Sequence, residues 1–177
     1  MGLLKRLTRI WSDTDSPFLL YGTNEISFSQ IVSKDSGDLS LIRKGDVVAI
    51  IGDFNPISIL RVFILIDMGA IIVPLTIDTE PEHEYFFESA LVDIVIKGDS
   101  ITRRKHSGKC HIIETLKEKN HAGLVFFSTG TTGPPKAILH DSTLFFKRFE
   151  TPRPTYRTLS FLLFDHLGGL NTLFHTL

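Results

Sequence analysis

Apolar residues arrive along this chain in two rhythms, and the rhythm changes at glycines and prolines. Leu3, Leu4, Leu7, Ile10 and Trp11 recur at helical spacing near the start, which predicts a helix laying one face on a core. "FLLYG" and "EISFS" then read as two short strands around the turn "GTN". A charged, glycine-bearing link, "SKDSGDLSLIRKG", leads into "DVVAIIG", a continuous apolar run suited to a strand covered on both faces. Asn55 and Pro56 supply an N-cap and a first-turn proline. The helix they open runs through about Met68, Gly69 suits its end, and "AIIVPL" is the next strand.

The alternation continues. Thr79 with Glu82 forms a capping box that opens a helix through about Ser89. "LVDIVIK" reads as a strand and "CHII" as a shorter one, while "GLVFFS" and "KAILH" flank a polar stretch. "STLFFKRFE" is a short helix and "RTLSFLLF" one more buried strand. Strands alternating with helices at this spacing predict an α/β fold, a largely parallel sheet flanked by helices. There is no internal repeat and no low-complexity segment.

Composition narrows the functional classes. At 177 residues, 42% apolar and with 14 Phe, the chain has material for one packed domain, or one domain and a fragment, rather than a disordered one. A formal charge of −1 argues against nucleic acid as a partner gripped by a broad basic face. The single cysteine, Cys110, forms no internal disulfide and points to a cytoplasmic setting. "MGLLKRLTRIW" lacks the apolar core and cleavage site of a signal peptide, and Arg6 spoils a myristoylation motif. "ISILRVFILIDMGAIIV" carries Arg61 and Asp67 and is broken by Gly69, so it predicts a buried helix feeding a strand and no membrane span. The histidines show no paired ligand spacing, so no metal site is predicted. His83, between acidic neighbours, fits an ordinary surface pattern. The basic run "RRKHSGK", Arg103 to Lys109, suits a solvated loop better than a polyanion site.

The chemistry concentrates in "VFFSTGTTGPPKAILHD", Val125 to Asp141. Gly130 and Gly133 carry no Cβ and let the backbone approach an anion closely. Successive amides can converge on phosphate oxygens there, with Ser128, Thr129, Thr131 and Thr132 adding hydroxyls and Lys136 a mobile charge. The spacing Gly130-x-x-Gly133-x-x-Lys136, with Pro134 and Pro135 ahead of the lysine, is not the Walker pattern and leads into a strand rather than a helix. The plain alternative is a hairpin turn between two strands, although generic turns rarely stack so many hydroxyls. A hydrolase is not indicated, since no Gly-x-Ser-x-Gly elbow occurs.

"FFSTGTTGPPKAILH" resembles the phosphate-binding signature of the adenylate-forming family: acyl-CoA synthetases, peptide-synthetase adenylation domains and firefly luciferase. "IRKGDVVAIIGDFNPISILRVFILIDMGAIIVPL" resembles the family's strand–helix–strand ending in Gly-Ala-x-x-Val-Pro-Leu. "EISFSQI" is similar to its early Thr-Tyr-x-Glu-Leu element, with Phe28 and Gln30 as departures. "FLLFDHLGGLNTLF" is similar to a later core element with an aromatic, a histidine and a glycine pair. Ala137 stands where the family usually has glycine.

The resemblance implies a single incomplete AMP-binding N-terminal domain over 1–177. About 1–120 would form its first α/β part, and 121–177 the phosphate-loop segment and the start of the second. The C-terminal domain with the catalytic lysine is expected to be absent and to be this chain's missing partner. The implied function is a fragment of an AMP-forming acid–thiol ligase that activates a small-molecule carboxylate with ATP and Mg2+. Coenzyme A or a carrier-protein thiol would be the co-substrate of the intact enzyme, and the fragment alone is expected to be inactive.

By position in the motifs, Lys136 and His166 would be catalytic. Ser128, Thr129, Gly130, Thr131, Thr132, Gly133 and Lys136 would hold the nucleotide, and Asp165, His166 and Gly168 the acyl substrate. Two alternatives stay open. Phe-Asp at Asp165 also resembles amino-acid-activating members, whereas His166 followed by Leu-Gly-Gly fits the acyl-CoA synthetase form, and His166 reads equally well as a helix-start residue. A non-catalytic nucleotide-binding or interaction module is the other function class, in which Phe161–Phe164 and Leu170–Leu173 need self-association or a partner to cover them.

Overall fold

The fold is described from a computed structural model over residues 2–12, 16–128, 133–149, 151 and 157–177. Helix α1 (Leu3–Trp11) starts where the Asp67 carboxylate accepts the amide hydrogens of Leu3 and Leu4, a negative charge placed at the positive end of the helix dipole. Leu7 is buried and Leu3, Leu4 and Trp11 pack beside it, but Ile10 points outward and does not join the stripe.

Strands β1 (Leu19–Tyr21) and β2 (Asn24–Ile26) form an antiparallel hairpin. The second strand is shorter than "EISFS" suggests. Ser27 leaves it to cap helix α2 (Phe28–Val32), its hydroxyl accepting the Gln30 amide hydrogen while Gln30 Oε1 accepts that of Ser27. This reciprocal box overrides the strand-like alternation.

Strand β3 (Val47–Ile51) is followed by α3 (Pro56–Asp67) and β4 (Ile71–Leu75). Asn55 Oδ1 accepts from the amides of Ile57 and Ser58 at 3.1 and 2.9 Å, and Gly69 at φ +75° ends the helix turn, as the cap residues foretell. The next helix differs. Thr79 forms no capping box; its hydroxyl donates to the Thr76 carbonyl at 3.1 Å, a 3-10 turn spans Ile77–Glu82, and α4 begins at His83 and ends at Ser89.

Strand β5 (Ile94–Lys97) turns directly into β6 (Ser100–Arg103), an antiparallel edge strand. "CHII" is not a strand: helix α5 spans His111–Glu118, burying Ile113 and Leu116 while Ile112 faces solvent. Strands β7 (Gly123–Phe127) and β8 (Ala137–Asp141) pair antiparallel and lead into α6 (Ser142–Lys147), capped by Asp141. "RTLSFLLF" also forms no strand from Arg157 on: Leu159 and Phe161 are 82% and 79% exposed, and only Phe164 turns inward. Helix α7 (Leu167–His175) follows.

The six-stranded sheet has the order β6-β5-β3-β4-β7-β8, with the inner four strands parallel and both edges antiparallel. Alternate residues of each inner strand face opposite sides. Val48, Ile50, Ile72 and Leu124 meet α1, α2, α3, α6 and α7, while Val47, Ala49, Val73 and Val125 meet α4 and α5. No helix among the described residues is long and apolar enough to cross a membrane.

Pro74 shapes the middle of this sheet. Strand β4 pairs with β3 along Ile71–Leu75 but with β7 only at Ile71 and Ile72. Leu75 offers its carbonyl to Gly52 on the β3 side, so by alternation Pro74 faces β7, where it has no N–H to give. The β4–β7 ladder stops two residues earlier, and each strand continues to its carboxyl end without the other.

Two stability outcomes follow from the caps. Asn55→Ala should lower unfolding free energy by about 1 kcal/mol, read as a reduced urea midpoint; an unchanged midpoint would contradict the cap's role. Acidification should also weaken the fold. Burial, with Arg148 nearby, lowers the His140 pKa, so protonating it through the ordinary histidine range favours the unfolded chain. Burial pushes the Asp141 carboxyl up, but His121 and the amides of Thr143 and Leu144 outweigh this and hold it below its ordinary value. Its stabilisation persists above 3.8 and is lost only as pH falls through the folded value. The stability lost between about pH 7 and pH 5 should therefore shrink in His140→Phe, and an equal loss in both proteins would refute this assignment.

Candidate functional site

The carboxyl ends of β3, β4 and β7 lie along one edge of the sheet, the position at which open α/β sheets present ligand crevices. From β7 the chain enters the glycine–hydroxyl loop. The stem below it is a regular hairpin from Gly123↔Asp141 to Phe127↔Ala137. It closes where the Ser128 amide donates to the Lys136 carbonyl and the Lys136 amide donates to Ser128 Oγ, both at 3.0 Å. Tyr85 on α4 donates its hydroxyl hydrogen to the Pro135 carbonyl at 2.7 Å, fixing the exit of the loop.

The amide of Ser128 is thus occupied by the stem, and its hydroxyl hydrogen is left to donate. Gly133 is exposed, and a Cβ built on it meets no atom of the described residues within 4 Å. The Lys136 side chain is exposed, and its ammonium has no ion-pair partner among the described residues. Thr129, Gly130, Thr131 and Thr132 lie outside the described residues. Hairpin and anion loop are therefore compatible descriptions of this segment: paired at its base, open at Gly133 and Lys136.

The second group of residues stands at the end of β4. Thr76 is buried there and donates its hydroxyl hydrogen to Asp165 Oδ2 at 3.0 Å. The Thr76 carbonyl also meets His83 Nε2 at 2.9 Å, and Thr79 Oγ1 lies 3.2 Å from the same nitrogen. His83 is only 4% exposed, so it is a buried strand-end residue, not a surface one. The polar residue directly after the apolar run "AIIVPL" is the sequence signal that could have drawn attention to Thr76.

Next to Asp165, His166 is the N-cap of α7: its Nδ1 accepts the Gly168 amide hydrogen at 2.9 Å. In a neutral ring this bond puts the hydrogen on Nε2, leaving one directed donor on an exposed side chain. The helix-start role of His166 is therefore real, and it leaves Nε2 for a ligand. Two glycines make the turn. A Cβ on Gly168 would lie 2.4 Å from Leu162 Cδ1, and one on Gly169 would lie 2.4 Å from the Leu163 carbonyl oxygen. Phe54, in the β3–α3 connection, packs edge-on to Phe164 with centroids 5.4 Å apart, tying the α7 approach to the end of β3.

Asp165, His166 and Gly168 thus gather at the start of α7 over β4, and Ser128, Gly133 and Lys136 gather beyond β7, the adjacent strand. The basic run contributes to neither. Arg103 pairs with Asp46 at 2.7 Å, Arg104 with Glu84 at 2.9 Å, and His106 with Asp93 at 3.0 Å. No group of three or more His, Cys, Asp or Glu able to hold a metal occurs among the described residues.

No family model matches the sequence, and no curated protein matches it. Solved structures do match. Bacillus subtilis o-succinylbenzoate CoA synthetase (MenE), in complex with the acyl-adenylate intermediate OSB-AMP, aligns with a TM-score of 0.66 at 15% identity, over 98% of this chain and 52% of its own. The inhibitor-bound N-terminal domain of FACL13 from Mycobacterium tuberculosis gives 0.64 at 15% identity, over 98% and 53%. The Klebsiella oxytoca NpsA N-terminal subdomain in complex with anthranilyl-AMSN gives 0.60 at 20%, over 85% and 43%. This is the fold of the N-terminal subdomain of adenylate-forming enzymes. The chain spans about half the length of the structures it matches, and the adenylate-forming fold expected from the motifs is the one found.

Gly169→Ala tests the geometry of this edge. Its methyl would collide with backbone rather than with a movable side chain, so α7 must shift at a cost of about 1–3 kcal/mol. The urea midpoint should fall accordingly; a midpoint equal to that of the unaltered chain would show that the tight turn is not required.

Proposed function

We propose that the chain carries the nucleotide-phosphate and acyl-binding edges of an AMP-forming acid–thiol ligase of the acyl-CoA synthetase kind. The observation that carries this reading is the exposed Lys136 ammonium, without an ion-pair partner among the described residues, near exposed Gly133 in the segment that joins β7 to β8, in a fold whose solved relatives hold an acyl-adenylate and an anthranilyl-AMSN. Bound ATP would supply an electrophilic α-phosphorus and a pyrophosphate leaving group. Lys136 and the donors of residues 128–133 would bind the outer phosphates and offset the charge that builds as they depart. Each such charge-assisted bond contributes about 1.5–3 kcal/mol, enough together to align a polyphosphate.

His166 would direct Nε2–H at an oxygen of the substrate carboxylate, holding the other oxygen toward the α-phosphorus. Its cap bond to Gly168 sets that orientation, so the ring arrives pre-aimed rather than freely rotating. Gly168, whose place leaves no room for a side chain beside Leu162 and the His166 ring, would hold this turn close under the acyl substrate. Mg2+ would enter on the nucleotide, because this ion is usually held by substrate phosphates and one or two carboxylates rather than by a protein cage. Coenzyme A or a carrier-protein thiol would accept the acyl group in the intact, cytoplasmic enzyme.

One observation favours a second substrate class. Among the described residues Thr76 engages only Oδ2 of Asp165, and Oδ1 would take a cation such as the α-ammonium of an amino acid. A hydrogen bond to a carboxylate and an ion pair to an ammonium select different acids, and pyrophosphate exchange with paired amino-acid and aryl-acid substrates separates the two.

Lys136→Ala should slow carboxylate-dependent pyrophosphate exchange by about 10- to 100-fold in the intact enzyme, and should weaken ATP binding by this chain in calorimetry. Unchanged exchange and unchanged affinity together would remove the phosphate role. Preserved ATP affinity without any exchange in the intact protein would instead identify a non-catalytic nucleotide-binding module.

A further inference from the structure

We propose that the opposite, amino-terminal edge of the sheet holds a second binding site, for a small organic anion with a compact apolar body. A cavity of about 350 Å³ opens there between α1, the end of α3 and the start of α6, within the size range of small-molecule sites. Leu3, Ile66, Met68 and Phe146 give it apolar walls, and Arg6 and Lys44 stand at it as cations. A smaller cavity of about 160 Å³ shares Lys44, Gly69 and His121 with it and continues toward Lys117.

The charge balance of this groove is positive where it is free. Both oxygens of Asp67 accept amide hydrogens of α1. Asp141 is engaged by His121 at 2.8 Å and by the α6 amides, and Lys117 pairs with Glu114 at 3.2 Å. Arg6 and Lys44 alone among these cations have no side-chain partner among the described residues.

Lys44 is also held in place. A Cβ on Gly69 would lie 3.0 Å from Lys44 Cγ and 3.3 Å from its Cε, so the lysine stem lies across a residue whose φ of +75° favours glycine. The stem packs over the glycine while the residue remains exposed and lines both cavities. A guanidinium and a pre-placed ammonium beside apolar walls suit a phosphate ester or a carboxylate with a short hydrocarbon or aromatic body. The five residues of β4 separate this groove from Thr76 by about 17 Å, so it is distinct from the nucleotide edge and does not depend on the ligase reading.

Titration of the 177-residue chain with phenyl phosphate, benzoate and inorganic phosphate, followed by calorimetry and by amide shifts, tests the site. Saturable binding of phenyl phosphate or benzoate, tighter than inorganic phosphate, is expected, and the tighter of the two identifies the anionic group. The double variant Arg6→Gln/Lys44→Gln should weaken that binding at least about tenfold. Both side chains are exposed, so its unfolding midpoint should stay at that of the unaltered chain. Thr143→Trp, which fills the cavity from its exposed rim, should weaken it as well, and Lys136→Ala should leave it unchanged. Absence of saturable binding by either organic anion, or binding that survives both groove variants and disappears with Lys136→Ala, would overturn the proposal.

Discussion

A missing hydrogen-bond donor in the middle of the sheet organises the candidate site. Strand β4 is buried along its whole length and runs parallel to β3 and β7, which sends three carboxyl ends to one edge. Pro74 cannot extend the ladder toward β7, so the pairing of these neighbours stops before the strands end. Thr76 and Ser128, the residues that follow the two strands, therefore lie beyond the last registered pair of the β4–β7 ladder. The two residues then specialise: Thr76 fixes Asp165 at the start of α7, while Ser128 closes the stem of a loop that presents Gly133 and Lys136.

Local chemistry decides which parts of this arrangement can be read from the residues in order. The α3 segment is legible because its start and stop are written in side chains that act within four residues, Asn55 with Pro56 at one end and Gly69 at the other. The β3 and β4 runs are legible because strands covered on both faces leave no polar alternation. "CHII" and "RTLSFLLF" mislead for the opposite reason. Four apolar or weakly polar residues fit a strand or one face of a helix equally well, and the Ile113–Leu116 spacing that decides for α5 spans the limit of the stretch read as a strand. The exposure of Leu159 and Phe161 depends on which elements reach them, and no local pattern encodes that.

The candidate site divides along the same line. The types and spacing of Ser128, Gly133 and Lys136 raise the expectation of an anion loop before any fold is known. The contacts that aim the site are long-range: Thr76 to Asp165 spans 89 positions and Tyr85 to Pro135 spans 50. His83 illustrates the cost of reading only neighbours. Its acidic flanks suggest a surface residue, but the end of β4 packs over it and its ring nitrogen binds the Thr76 carbonyl. Each end of β4 thus meets a polar side chain through a tertiary contact, the Asp165 carboxylate held by the Thr76 hydroxyl at one end and the Lys44 stem, from the segment before β3, over Gly69 at the other.

The central claim is that a nucleotide's outer phosphates seat at the carboxyl edge, beyond the ends of β4 and β7. Backbone amide chemical shifts of the chain recorded with and without ATP and Mg2+ test it residue by residue. The account predicts that the amides of Gly133, Lys136 and the start of α7 move together with a single saturation curve while that of Gly69 stays still. Saturation of Gly69 and Lys44 with no response at Gly133 or Lys136 would contradict it.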